Sequence, residues 1–124
     1  MKPTQLKSLQ SKSKQLEVRM IYPERQGEPF RAVVESNEPL SHTVTIRFHP
    51  DGGIETECTC AWAQHGGVGC SHVMAVLNRL AARKHSSLSF WATPEEARKQ
   101  KRRVFKLTRA RGRESLWVTS RRPV

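Results

Sequence analysis

The fold of this chain is decided by residues 42–72, which read HTVTIRFHPDGGIETECTCAWAQHGGVGCSH. Apolar and polar residues alternate on both sides of the turn sequence Pro50-Asp51-Gly52-Gly53, as they do in the two strands of a half-buried β-hairpin. Proline fixes one backbone dihedral angle and glycine supplies a positive φ, so these four residues are typical of a tight turn. We therefore predict an antiparallel hairpin whose second strand leads into the cysteines.

The residues after the hairpin change from the period of a strand to that of a helix. Apolar side chains recur at the spacing i, i+3, i+4 and i+7, in the order Val73, Val76, Leu77 and Leu80. This spacing puts them on one face of a helix, and Ser71 is suited to cap its first turn. We predict a helix that begins at Ser71 and packs on the hairpin.

All three cysteines of the chain lie in this stretch, together with a histidine two residues after the last of them. Cys58 and Cys60 point to the same side of a strand, and a disulfide between them would be badly strained. Cys70 and His72 stand at the helix start, where the dipole favours a thiolate. Zinc takes four tetrahedral ligands from cysteine and histidine, so we predict that these four residues bind one structural zinc ion. All four positions are then filled, and none is open for a catalytic water.

The pattern resembles that of the SWIM zinc finger, which is Cys-x-Cys, a variable gap and then Cys-x-His. Here it stands as Cys58-Thr59-Cys60, a gap of nine residues, and Cys70-Ser71-His72. The hairpin before the motif and the helix after it agree with this resemblance, which covers residues 43–84. SWIM modules occur in bacterial remodelling ATPases, mutator-type transposases and plant transcription regulators, so the resemblance implies binding of DNA or of proteins. The chain has no ATPase or transposase motif, and we interpret it as a short, stand-alone SWIM protein.

Other interpretations of these residues stay open from the sequence. The four ligands could be ordinary buried thiols and a helix histidine, and His65 in the loop could compete as a ligand. Trp62, between the two ligand pairs, could pack over the zinc-bound sulfurs, or it could stack on a base or contact a partner. The remaining histidines are interpreted as surface residues; they are His42, His49 and His85.

The charge of the chain is large and unevenly distributed. Twenty-two lysines and arginines oppose eleven acids, which leaves a formal net charge of +11. Residues 1–20 carry +4, residues 21–60 carry −4, residues 61–90 carry +3 and residues 91–124 carry +8. A concentrated basic surplus indicates a polyanion partner, most often nucleic acid. The alternative is a solvated basic tail that keeps a small protein soluble.

The C-terminal third has elements of its own. The sequence Thr93-Pro94-Glu95-Glu96 is typical of a capped helix start, and we predict a short helix that ends at about Arg103. A second hairpin is predicted after it, with apolar contacts from Phe105, Leu107, Leu116, Trp117 and Val118. The candidate phosphate-binding residues are Arg98, Lys99, Lys101, Arg102, Arg103, Lys106, Arg109, Arg111 and Arg113. Cations interleaved with Phe105 and Trp117 could follow a phosphate backbone and stack a base, although core packing of both rings is favoured.

Together these elements predict an α+β fold. It consists of a small antiparallel sheet of about four strands built from hairpins, a zinc-pinned helix in a ββα SWIM-type finger, and a basic C-terminal extension. Residues 1–14 are expected to form a basic polar tail. Residues 15–90 are expected to contain the sheet and the zinc finger, with the motif core at 43–84, and residues 91–124 the helix and hairpin of the extension.

The predicted function is that of a zinc-binding SWIM-type module that binds nucleic acid, DNA rather than RNA, mainly through phosphate contacts. The alternative is a zinc-stabilised protein–protein interaction adaptor for a DNA-processing or recombination partner, which the acidic stretch 21–60 favours because it would repel DNA. No catalytic constellation remains once zinc takes the cysteines, so neither an enzyme nor a small-molecule substrate is expected. The sequence shows no membrane span and no secretory signal, and the expected compartment is the cytoplasm, where thiols stay reduced.

Overall fold

The computed structural model describes residues 3–22, 25, 28–35, 41–60, 70–100, 102–109 and 115–121. Its helices are α1 (Pro3–Ser13), α2 (Ser71–Ala82) and α3 (Pro94–Arg98). Its strands are β1 (Glu17–Ile21), β2 (Phe30–Glu35), β3 (His42–Phe48), β4 (Gly53–Cys58), β5 (Ser87–Trp91), β6 (Val104–Arg109) and β7 (Leu116–Arg121).

The strands form one seven-stranded sheet in the order β1-β2-β3-β4-β6-β7-β5. The first four strands are an antiparallel meander in chain order. The next strand along the sheet, β6, pairs with β4 in parallel, and β7 pairs antiparallel with both β6 and β5. Parallel neighbours need a long crossover, which α2, β5 and α3 provide here.

The hairpin of β3 and β4 is confirmed, and so is its turn. Phe48 lies opposite Ile54, and the Gly53 N–H donates to the Asp51 carboxylate at 2.8 Å. Gly52 adopts a φ of +90°, a conformation that glycine reaches without strain. The turn chemistry read from the sequence therefore fixes the register that brings Cys58 opposite Val44.

The core lies between one face of the sheet and helix α2. The side chains with the least solvent exposure come from both layers; the largest of them are Ile46, Met74, Leu107, Leu116, Val34, Val44, Val73, Val76 and Val118. Burying a side chain of this kind stabilises the fold by about 1.5–3 kcal/mol. Helix α1 adds Leu6 to the same core, so the segment predicted as a polar tail contributes a buried residue.

The α+β class is confirmed, but the sheet is larger than the sequence predicted. The small self-contained ββα finger is not confirmed, because β3 and β4 continue into strands on both sides. The hairpin predicted as an extension joins the same sheet, with Leu107 of β6 opposite Ile54 of β4 and the Thr56 hydroxyl donating to the Thr108 carbonyl at 3.1 Å. Hairpin signals are local in sequence, whereas this parallel pairing joins segments about fifty residues apart and has no local signal.

The short helix near residue 94 begins as predicted and ends earlier. Thr93 caps α3, accepting from the Glu96 N–H at 3.3 Å while its hydroxyl donates to the Glu96 carboxylate at 2.8 Å. The helix ends at Arg98, not near Arg103. The segment boundaries after residues 14 and 90 stay predictions. Among the described residues, no helix is long and apolar enough to cross a membrane.

Candidate metal centre

Four side chains converge between the end of β4 and the start of α2. One ligand atom from each of Cys58, Cys60, Cys70 and His72 lies within 4.8 Å of every other. The three cysteines are buried, with 2–5% of their surface exposed, and His72 is half-buried. None of the cysteines forms a disulfide. The structure thus brings together all four residues that the sequence predicted as ligands.

Strand β3 fixes the first ligand pair through a residue that the sequence reasoning passed over. Thr59 lies between Cys58 and Cys60, and its N–H donates to the Thr43 carbonyl at 3.2 Å. The Thr43 N–H donates in return to the Thr59 hydroxyl at 3.0 Å. These two bonds extend the pairing with β3 beyond the end of β4, so Thr59, between the two cysteines, is held through its backbone N–H and its side-chain hydroxyl.

Helix α2 fixes the second ligand pair, and its cap differs from the prediction. The N-cap is Cys70, not Ser71; its backbone is extended (φ −62°, ψ 167°) and its Sγ accepts from the Val73 N–H at 3.5 Å. The Cys70 carbonyl also accepts from the Met74 N–H at 3.0 Å. The sulfur therefore lies at the positive end of the helix dipole, which favours its thiolate form.

Without a cation, the crowding of the three sulfurs raises the pKa of Cys58 and that of Cys70. The hydrogen bond with the Cys60 side chain is the largest cause that raises the pKa of Cys58 to about 11. Contacts with the Cys58 and Cys60 sulfurs, followed by burial, raise the pKa of Cys70 well above its usual value. Clustered thiolates are stable only beside positive charge, and a divalent ion supplies it. The cluster is therefore costly as a set of free thiolates and favourable as a metal site.

The histidine gives an independent test of whether a metal fits. Its Nδ1 is buried and has no hydrogen-bond partner among the described residues. An unsatisfied buried nitrogen destabilises a fold, and a metal ion nearby removes that cost. Tetrahedral zinc with Zn–S distances of about 2.3 Å separates its sulfurs by roughly 3.8 Å. The ligand atoms all lie within 4.8 Å of one another, at most about 1 Å more than this value, so the four residues can hold Zn²⁺.

One histidine that the sequence left on the surface contacts the site. The rings of His42 and His72 lie 4.4 Å apart between centroids, with their planes tilted by 47°. His42 is the first residue of β3 and packs on the ligand from outside the set of four. In the sequence, His42 stands two residues before the core residue Val44, and nothing in this pattern indicates a contact with His72. His49 pairs with Glu55 at 3.7 Å and His85 is exposed.

None of the candidate phosphate-binding residues belongs to the group of four converging ligands; those that the structure describes lie between the last residue of α3 and the end of β6. Those that are exposed are Arg98, Lys99, Arg102, Arg103 and Lys106. Arg109 is half-buried, with its Nε 3.5 Å from the Glu57 carboxylate, so it differs from the five exposed cations in having an acidic partner among the described residues. Lys101, Arg111 and Arg113 lie outside the described residues, as do Trp62 and His65. Trp117 lies half-buried opposite Trp91 and Lys106 in the sheet.

Comparison with known families agrees with the geometry. The family model of the SWIM zinc finger matches residues 42–81. The matched segment contains β3, β4 and nearly all of α2, and its Cys₃His cluster is compatible with one structural zinc ion. Comparisons with curated proteins and with solved structures found no match.

Proposed function

We propose that this chain, whose residues 42–81 form a SWIM zinc finger, binds nucleic acid through phosphate contacts made by the cations of residues 98–106. The zinc site would act as a structural staple, because its four ligands leave no open coordination position. On this proposal the chain is a binding module and not an enzyme. DNA is the proposed partner in preference to RNA, and the cytoplasm is the proposed compartment, because thiolate ligands require reducing conditions.

The exposure of the cations carries this proposal. Arg98, Lys99, Arg102, Arg103 and Lys106 are exposed, and within the described part of the chain none of them forms an ion pair. They lie in one short stretch that runs from the end of α3 into β6, so several can meet consecutive phosphates. Contacts of this kind supply affinity and a strong dependence on salt, with no information about base sequence.

Salt dependence tests the proposal. Replacing Lys99, Arg102 and Lys106 by glutamine should weaken binding to a short DNA duplex, whatever its sequence. Each lost phosphate contact reduces the log–log salt slope by about 0.9, so the triple variant should lose roughly 2 to 3 from the slope. Fluorescence anisotropy at several salt concentrations measures both quantities.

A matched control is available on α1 and just after it. Lys7, Lys12 and Lys14 are also exposed, and their replacement by glutamine removes the same net charge. This control should shift the affinity slightly and leave the slope unchanged. Equal slopes for the wild type and the variant of residues 99, 102 and 106 would contradict the proposal. Zinc content should be the same in all three proteins, because none of these residues belongs to the cluster.

The second candidate is a protein-interaction adaptor for a DNA-processing or recombination partner. Its support is the opposite charge of two parts of the sequence, since residues 21–60 carry −4 while residues 91–124 carry +8. An acidic surface repels DNA and suits contact with a protein. Absence of binding to duplex and single-stranded DNA even at low salt would favour this candidate over the first.

A further inference from the structure

An open cleft lies at the other end of α2 from the cysteine cluster. It has a volume of about 450 Å³ and lies between the second half of α2 and the core face of the sheet. Its floor is aliphatic and aromatic, formed by Ile54, Leu77, Leu80, Leu88, Phe105 and Val118. Cavities of this size and character bind ligands in many proteins. The SWIM motif does not account for it, because β5, β6 and β7 supply half of the floor.

The mouth of the cleft is unusually apolar for a surface. Phe30 and Phe48 both line the cleft, and their rings meet edge to face at 5.7 Å. Phe48 remains 48% exposed and Tyr22, which packs edge-on against Phe30, remains 44% exposed. The floor and this aromatic mouth form one continuous apolar surface. Apolar surface of this extent on a small protein marks an interaction site.

The rim of the cleft is positively charged. Arg83 and Lys84 follow the last turn of α2 and line the opening. The Arg83 guanidinium lies over the Tyr22 ring, 4.5 Å from its centroid. Among the described residues, neither cation has an acidic partner. An occupant that presents carboxylates beside an apolar group would complement both the rim and the floor.

We propose that this cleft binds a short acidic segment of a partner protein, which inserts a bulky apolar side chain between α2 and the sheet. A nucleobase fits less well, because Ser86 and Ser120 are the only uncharged polar side chains among the described lining residues, and the polar edges of a base would lose their hydrogen bonds. A small acyl ligand would leave Tyr22 and Phe48 exposed, whereas a protein segment covers them. The cleft adjoins the cations proposed to contact phosphate, because the Arg103 guanidinium lies 4.9 Å from the centroid of the Phe105 ring in the floor. The rim cations Arg83 and Lys84 do not belong to that set.

A randomised peptide library displayed on phage is a suitable probe, selected against the zinc-loaded full chain. The expected enrichment is for a large apolar residue flanked by aspartate and glutamate. Two variants test the location of binding: Lys84→Glu reverses the charge of the rim, and Ala81→Trp fills the cleft. Each should weaken binding of a synthetic enriched peptide by about tenfold or more, as loss of a central contact does. Lys7→Glu, an equal charge change on α1, should leave binding within about twofold.

Three results would overturn the proposal. The first is that the selected peptides are not enriched in acidic and large apolar residues, or that the Ala81→Trp variant binds an enriched peptide as tightly as the wild type does. The second is displacement of the peptide by a short oligo-thymidine, which would assign the cleft to nucleic acid. The third is binding of a fluorescent fatty acid at the cleft without any peptide binding. Zinc content and melting temperature of each variant show that a loss of binding is not a loss of fold. The nucleic-acid proposal is tested by other variants, so either proposal can fail alone.

Discussion

The imidazole rings of His42, on β3, and His72, on α2, are in tilted contact with their centroids 4.4 Å apart. The same strand holds the Cys58 segment through Thr43, and Cys70 caps the start of the same helix. The contact between the rings therefore joins the two halves of the ligand set without supplying a ligand. Groups that orient a metal-binding histidine in this way tune the affinity of the site.

We expect His42→Ala to weaken zinc binding without abolishing it. Ring pairs contribute about 0.5–1.5 kcal/mol beyond the area they bury, which corresponds to roughly two- to tenfold in affinity. His42→Phe keeps a ring in this position and should recover most of the loss. Competition with a chromogenic chelator measures the affinity. His49→Ala is the control, since His49 is exposed and pairs with Glu55; an equal loss there would contradict a specific role for His42.

Variants at residue 70 should separate the two roles of this sulfur. Serine is a good N-cap, so Cys70→Ser should keep the first turn of α2 while losing a zinc ligand. Cys70→Ala should lose both, and its metal-free form should be less stable than that of Cys70→Ser by about 1 kcal/mol. Elemental analysis gives the zinc content, and urea unfolding of the chelator-treated proteins gives the difference. Full zinc occupancy in either variant would exclude Cys70 from the ligand set.

Metal-free and zinc-bound protein should respond to pH in opposite directions. In the metal-free form the pKa of Cys58 is raised from 9.0 to about 11, so between these values the folded chain keeps a proton that the unfolded chain has lost. Stability present below pH 9 is then lost as the pH rises towards 11. Zinc requires thiolates, so in the bound form protons compete and stability falls as the pH drops.

Unfolding by urea over a pH series, with and without chelator, checks this reversal. Cys58→Ser removes the raised thiol and should flatten the alkaline part of the metal-free curve relative to the wild type. Between pH 9 and 11 the metal-free wild-type protein should lose more stability than this variant. An equal loss in both proteins would contradict a raised pKa of Cys58.

The parts of the fold that the sequence predicted are those with a local cause. Alternation on both sides of Pro50-Asp51-Gly52-Gly53 predicted the central hairpin, and the capping residues from Thr93 predicted the start of α3. The ligand spacing predicted the cluster. Two cysteines that alternate on a strand point to the same side, and a cysteine and a histidine at the start of the following helix can lie close to them. These features depend on dihedral preferences and side-chain direction over a few residues, which a single sequence contains.

The features that were missed depend on contacts between distant segments. The parallel pairing of Ile54 with Leu107 and the packing of His42 on His72 arise only when separate elements meet, and neither has a periodic signal. Cys70 replaced Ser71 as the cap because its sulfur can serve both the Val73 N–H and the cluster. The cleft was also missed, since residues from α2 and six strands line it.

The C-terminal hairpin of β6 and β7 and the zinc-finger strands belong to one sheet. Leu107 of β6 is completely buried, opposite Ile54 of the strand that ends at Cys58. Leu107→Ala should cost about 2–5 kcal/mol, because it leaves a cavity in the shared core. If the sheet unfolds as one cooperative unit, zinc release and loss of strand signal should shift together to a lower temperature. Circular dichroism and a zinc-sensitive dye, recorded in the same heating series, compare the two midpoints.

Val104→Ala, at a half-buried position on the same strand, should shift both midpoints much less. A zinc-release midpoint that stays at the wild-type temperature, while part of the strand signal is lost earlier, would show that β6 and β7 form a separate unit attached to an independent finger.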